Sequence, residues 1–404
     1  MLADRENVRS NFYIDKDILY FNAGTFGVCP KPVLEEKIKF LRKIEANPVN
    51  GYVESMFETS LENIKELGKR IGVEFENLAF LQNVTQGFSS VLTSIDIKAG
   101  DEILITNFTY GAIVMEVEKY FVEKGGSVKT LILEFPFPSN EYIINKYKDF
   151  AESNSRIKYA IIDHIPSTLP MVQPVKEIVK ALQSLGIYVI IDGAHAPGQL
   201  PNLNVADIGA DIYLGNLHKW CFLPRGVAFL AVHPSCKFQI RPIVVSWLHN
   251  SSLFERFLFP GTVDFTNILC IKSAFQFIDS LGGLEAISNY NSELLKRGIK
   301  YLEESWGVAA IAFPEMAPAM RIIPFPPGFD KHSDKIALLL KRPFEKPYYK
   351  FTLRKFGFIL SAYSVNGKLY FRFCSQIFME FEYFKLVSEK ILKWLEMLDN
   401  DKDL

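Results

Sequence analysis

From about residue 78, short apolar runs alternate with amphipathic stretches: LAFLQ (78–82), EILIT (102–106), VKTLIL (128–133), IKYAIID (157–163), IYVIID (187–192) and GVAFLAV (226–232). Runs of this length, rich in β-branched residues, predict buried strands. Between them, GAIVMEVEKYFVEKG repeats apolar residues at helical spacing. PVKEIVKALQSLG opens on Pro174 and closes on Gly186, which suit a helix's entry and exit. Strand and helix in alternation predict parallel pairing through right-handed crossovers, and so a wound α/β sheet with helices on both faces. Loops leaving the C-terminal ends of such strands meet at the ligand crevice, so the chemistry is expected there.

After about residue 262 the texture changes to a long helical stretch, then short strand-like runs and a closing amphipathic helix, FEYFKLVSEKILKWLEML. With 404 residues the chain exceeds one usual compact unit. We expect a large α/β domain over 21–261 and a smaller α+β domain from 1–20 and 262–404.

Acidic and basic residues nearly cancel, 46 against 45, so no overall field favours nucleic acid or an anionic membrane. A small-molecule partner is expected. The first residues are charged and lack a secretory core, and no run of 18 apolar residues occurs, which predicts a cytoplasmic protein. The five cysteines are scattered and form no C-x-x-C pair, so neither a disulfide framework nor a zinc site is expected.

Two segments carry candidate chemistry. IYVIIDGAHAPG puts Asp192 at a strand end, followed by Gly193 and His195, and GNLHKW sets Lys219 between His218 and Trp220 after the strand-like DIYLG. Each has a plainer role: an Asp-Gly caps a turn, and a lysine snorkels to solvent. Together they match the needs of a pyridoxal enzyme, a carboxylate to keep a pyridine nitrogen protonated and a lysine to hold the cofactor and move a Cα proton. NVTQGFSSVL adds a polar turn leading into a helix, where the Thr85 hydroxyl and the amides of Gln86 and Gly87 suit a phosphate. Asn83 and Thr85 serve equally well there as simple helix caps.

The ordered set YFNAGTFGVCP, LNVADIGADIYLGNLHKWCFLPRGVAFLAV, FPGTVDFTNILCIKSAFQFI and LYFRFCSQIF resembles the class V aminotransferase-like family of fold type I pyridoxal-5'-phosphate (PLP) enzymes. It is most similar to the isopenicillin N epimerase-like branch, which includes hercynylcysteine sulfoxide lyase-like carbon–sulfur lyases. The resemblance implies PLP as cofactor, Lys219 as the Schiff-base lysine and Asp192 as partner of the pyridine nitrogen. It also implies His195 at the ring phenolate, His218, Thr85 and Gln86 at the phosphate, and Ser167 near the ring oxygen. Tyr110 is implied over the ring, with a one-residue register against Thr109 left open. Thr262 is implied to reach the phosphate of a neighbouring subunit, which makes a homodimer necessary, and Arg372 to hold the substrate carboxylate. Asn22 is expected in the substrate's side-chain pocket, built from 20–27, 244–260 and the partner subunit.

The expected reaction begins with removal of the Cα proton of a small amino acid by Lys219, and β-elimination from a cysteine derivative is the favoured outcome. Epimerisation, with Tyr110 as second acid, is the alternative, followed by desulfurase or aminotransferase chemistry. RKFGFILSAYSVNGKLYFR lacks the cysteine that desulfurases of this class carry before the substrate arginine, which argues against persulfide chemistry. From another class, Asp163, His164, Asp192, His195 and His218 could form a metal-dependent hydrolase site, a reading that leaves Lys219 idle.

Overall fold

The computed structural model describes residues 5–340 and 347–400. The six apolar runs and DIYLG all become strands of one sheet. These are β2 (Leu78–Leu81), β3 (Glu102–Thr106), β4 (Ser127–Leu131), β5 (Ile157–Asp163), β6 (Tyr188–Asp192), β7 (Ile212–Asn216) and β8 (Ala228–Val232), after a short β1 (Leu19–Tyr20). Their order is β2-β8-β7-β6-β5-β3-β4.

Parallel pairing holds from β4 through β7, whereas β8 pairs antiparallel with both β7 and β2. The expectation of parallel pairing therefore fails at β8. Parallel neighbours need a crossover of a dozen or more residues. The link from β7 to β8 holds only the four-residue helix Leu217–Trp220, so the chain turns straight back. That short return carries Lys219.

Both sheet faces are buried, which explains the nearly continuous apolar runs. Ala160, Ile162, Val189 and Ile191 join one core, while Tyr159, Ile161, Ile190 and Leu214 join the other. Val175–Gln183 lies on the first face; Val84–Ser94 and Gly111–Val117 lie on the second.

The later part of the chain builds a three-stranded antiparallel sheet, β11-β12-β9, from β9 (Met320–Pro324), β11 (Ser361–Val365) and β12 (Lys368–Cys374). The short β10 (Phe358–Ile359) pairs instead with β1. The expected long helical stretch breaks into Thr266–Leu269, Ile271–Ser280 and Gly283–Trp306. Gly282 and Gly283, at φ +91 and +84, make the sharper break, a backbone conformation that other residues resist. Among the described residues no helix is long and apolar enough to cross a membrane.

Candidate active site

The strand ends gather the charged groups. In the β5–β6 register Asp163 lies opposite Asp192, so both carboxyls leave the same face of the sheet, and both are buried. The Asp192 Oδ1 accepts from the Ala194 amide at 2.9 Å. Burial pushes Asp192 up from the usual carboxylate range, opposed by that amide and by Lys219. Asp163 is pushed up further by burial and by the Asp192 charge, and its Oδ2 has no partner.

Lys219, half-buried, brings its Nζ to 3.1 Å from His195 Nε2. Burial lowers the lysine to about 8, with Asp192 working against that shift and Arg372 adding to it. His195 is held well below the ordinary histidine value by burial and by the charges of Lys219 and Arg372.

At the expected phosphate cradle the start of the helix already uses part of its donors. Asn83 caps the helix Val84–Ser94: its Oδ1 accepts from the Gln86 amide at 2.8 Å and its carbonyl from Gly87 at 3.2 Å. Asn216 Oδ1 accepts from the Val84 amide. The Gln86 and Gly87 amides are therefore already used, which leaves the Thr85 amide and hydroxyl without a partner among the described residues. His218 Nδ1 is taken up by the Val227 backbone, 2.8 Å from its carbonyl and 3.3 Å from its amide, so only its Nε2 remains to face a ligand. Burial lowers this histidine to about 4.

The other end of the cleft is organised by Arg372, 1% exposed on β12. Its Nη1 donates to the carbonyl and hydroxyl of Ser167, at 2.9 and 3.0 Å. Its Nη2 donates to Asn22 Oδ1, Thr25 Oγ1 and Ser361 Oγ, at 3.1, 3.0 and 3.3 Å. The Tyr363 ring lies 5.5 Å from the guanidinium carbon, and Nε has no partner. All the acceptors are neutral. Ser167 thus stands against the arginine, as Asn22 does.

Thr109 and Tyr110 have different surroundings. Thr109 Oγ1 closes its own turn by accepting from the Thr106 amide, whereas Tyr110 is 49% exposed, within reach of the charges of Tyr363, Asp192 and Arg372. Thr262 is exposed, in a hollow with Val245, Trp247 and Phe259, and is not brought to Lys219 within its own chain. Thr25 escaped sequence reasoning because it lies far off in the chain, in the short helix Ala23–Phe26, and Ser361 and Tyr363 because β11 looks like any half-exposed strand. Only its pairing of Ser361 with Arg372 reveals the role.

Burial pushes four thiols, Cys29, Cys221, Cys236 and Cys270, upward, which keeps them poor nucleophiles. No group of three His, Cys, Asp or Glu side chains among the described residues is arranged to hold a metal. His164 Nδ1 instead meets the Tyr213 hydroxyl at 2.9 Å.

The family model "Aminotransferase class-V" matches residues 18–342. The chain belongs to this family. An L-cysteine desulfhydrase of Arabidopsis thaliana is 29% identical over 335 residues, 79% of this chain and 74% of that one. Isopenicillin N epimerase of Streptomyces clavuligerus is 26% identical over 347 residues, 81% and 86% of the two chains. Among solved structures, apo cysteine desulfurase from Thermococcus onnurineus NA1 superposes with a TM-score of 0.75 at 17% identity, covering 98% of this chain and 100% of that one. This member of the class V aminotransferase family therefore shares that protein's fold, the α/β architecture of a large wound sheet with a smaller antiparallel one.

Proposed function

We propose that this member of the class V aminotransferase family is a PLP-dependent carbon–sulfur lyase that eliminates the β-sulfur substituent of a cysteine derivative, giving a thiol, pyruvate and ammonia with consumption of water. The observation that carries the reading is a half-buried Lys219 amine, 3.1 Å from His195 Nε2 and under the charge of buried Asp192, across the cleft from a guanidinium that has only neutral partners. The residues present fit the cofactor. Two buried carboxyls lack a full complement of cations, which a protonated pyridine nitrogen beside Asp192 would supply, and Thr85 has open donors for a phosphate.

When bound, PLP supplies an electron-accepting ring that eases loss of the Cα proton and opening of the bond at Cβ. Lys219 anchors it and moves the proton at Nζ. Asp192 faces the pyridine nitrogen, His195 the phenolate, and Tyr110 the ring. Thr85 through its amide and hydroxyl, Gln86 through its side-chain NH2 and His218 through Nε2 hold the phosphate. Arg372 grips the substrate carboxylate, with Asn22 and Ser167 steadying the fork. A homodimer supplies Thr262 from the neighbouring subunit. Supporting this, the loop beside it exposes Val244, Val245 and Trp247, at 50%, 73% and 93%, an apolar surface that a second copy would cover. The absence of a spanning helix among the described residues is consistent with work in the cytoplasm.

A screen of L-cysteine and S-substituted L-cysteines for release of pyruvate and thiol tests the reading. Release from at least one of them is expected. Loss of optical rotation without pyruvate would identify an epimerase, with Tyr110 as its second acid, and would overturn the lyase.

A further inference from the structure

The side chain next to the lysine has no part in the chemistry described so far. Trp220 is 1% exposed, and its indole Nε1 donates to His195 Nδ1 at 3.4 Å, while His195 Nε2 lies 3.1 Å from Lys219 Nζ. These contacts form a chain of indole, imidazole and amine. An indole N–H can only donate, so the nitrogen that it meets must offer a lone pair. A neutral imidazole with Nδ1 as acceptor carries its hydrogen on Nε2. That Nε2–H then points at Nζ, and a hydrogen bond between them requires the lone pair of an uncharged amine.

We propose that Trp220 is a positioning residue that fixes the His195 tautomer, with Nδ1 bare and Nε2 protonated, and through it keeps Lys219 as the uncharged amine.

The fold holds the indole where this requires. Gly198, at φ +84, lies against Trp220 so closely that a Cβ there would sit 2.5 Å from the Trp220 carbonyl carbon and 2.8 Å from its Cβ. A Cβ on Gly24 would meet the far edge of the indole at 3.1 Å. The turn bearing His195 is thereby pressed onto the tryptophan. Gln199 completes the clamp, its side-chain amide donating to the His195 carbonyl at 2.7 Å.

An imidazolium at His195 would set Nδ1–H against the indole N–H, two donors face to face, and burial opposes it as well. The charged and titratable groups around Lys219 are Asp192, Asp163, Arg372, Cys374, His195 and His218. The carboxyls favour an ammonium. The Trp220–His195 pair is the contact that opposes it by direct hydrogen bonding.

The consequence for catalysis rests on Lys219 as the cofactor lysine, but the tautomer does not. The test uses the full chain, labelled with 15N-histidine and freed of cofactor with hydroxylamine. Long-range 1H–15N correlations should give His195 a bare Nδ1 and a protonated Nε2 at pH 7 to 8. A protonated Nδ1, or an imidazolium, overturns the proposal without any variant.

Trp220→Phe removes the donor and keeps a ring. It should release the fixed tautomer and slow covalent recapture of PLP at pH 7 by on the order of tenfold, as a lysine raised by one pH unit would. The rate should recover as pH rises. Recapture indistinguishable from wild type at every pH contradicts the link to Lys219, whereas capture on a different lysine contradicts the cofactor assignment and leaves the tautomer standing.

Discussion

Among the described residues two arginines are buried without a carboxylate, and they are not alike. Arg256, 7% exposed, donates to the carbonyls of Ile240, Ser251 and Ser252, all within the surface segment that leads into its own helix, Leu253–Leu258. Arg372 reaches three separated parts of the chain, residues 22–25, 167 and 361, mostly through rotatable hydroxyls and an amide, and keeps one N–H unpartnered. Backbone carbonyls are fixed, so Arg256 ties a loop. Hydroxyls can turn to serve a new anion, so Arg372 can exchange neutral partners for a carboxylate. Burial of an unpaired cation does not mark a binding site; the nature of its acceptors does.

The contrast breaks most visibly at Arg372. Arg372→Met should lower kcat/KM by about thirtyfold to several thousandfold, the range of about 2 to 5 kcal/mol for losing one partner of a desolvated pair. The visible absorbance of bound cofactor should persist. Steady-state kinetics beside an absorbance spectrum check both, and kinetics equal to wild type would move the carboxylate site elsewhere.

Acid sharpens the contrast from the cleft side. Burial lowers His164 to about 4, against about 6.5 for an unfolded histidine. Between these values the unfolded chain binds the extra proton, so this term costs stability as pH falls through that window. Asp163 and Asp192, pushed up, contribute with the opposite sign. The histidine is therefore read by difference. His164→Gln should gain on wild type between pH 7.5 and 4.5 by on the order of 2 to 3 kcal/mol in urea unfolding. A constant difference would mean that His164 is not buried neutral.

Arg256→Met should act on stability, lowering the unfolding free energy by about 1 to 3 kcal/mol as carbonyls lose their donors, while the cofactor spectrum stays unchanged. Chemical denaturation with absorbance detection separates the two effects. The smallest change is expected at Thr25→Val, which removes one of the neutral acceptors that aim Arg372. KM should rise by about twofold to tenfold, the value of a single hydrogen bond, with kcat held.

The sheet was legible because its inner strands are apolar on both faces, and Asp192 and Lys219 stood out as polar groups at or just after the ends of such strands. The reversal of β8 was not legible from strand character, only from the shortness of the 217–227 link. Arg372 was visible as an arginine within an aromatic strand. Its partners Thr25, Ser361 and Tyr363 were not, since residues far apart in sequence meet only through the β11–β12 register and the approach of residues 22–25. The Asn83 cap likewise took amides that a local reading assigned to phosphate. A sequence shows which groups leave strand ends, but not which donors the chain has already spent on itself.

The account turns on Lys219. Borohydride treatment of the PLP-loaded protein, followed by peptide mapping, should place a single pyridoxyl label on Lys219, with visible absorbance bleached in step and both lost in Lys219→Ala. A label on any other lysine, or absorbance that survives in Lys219→Ala, would contradict it.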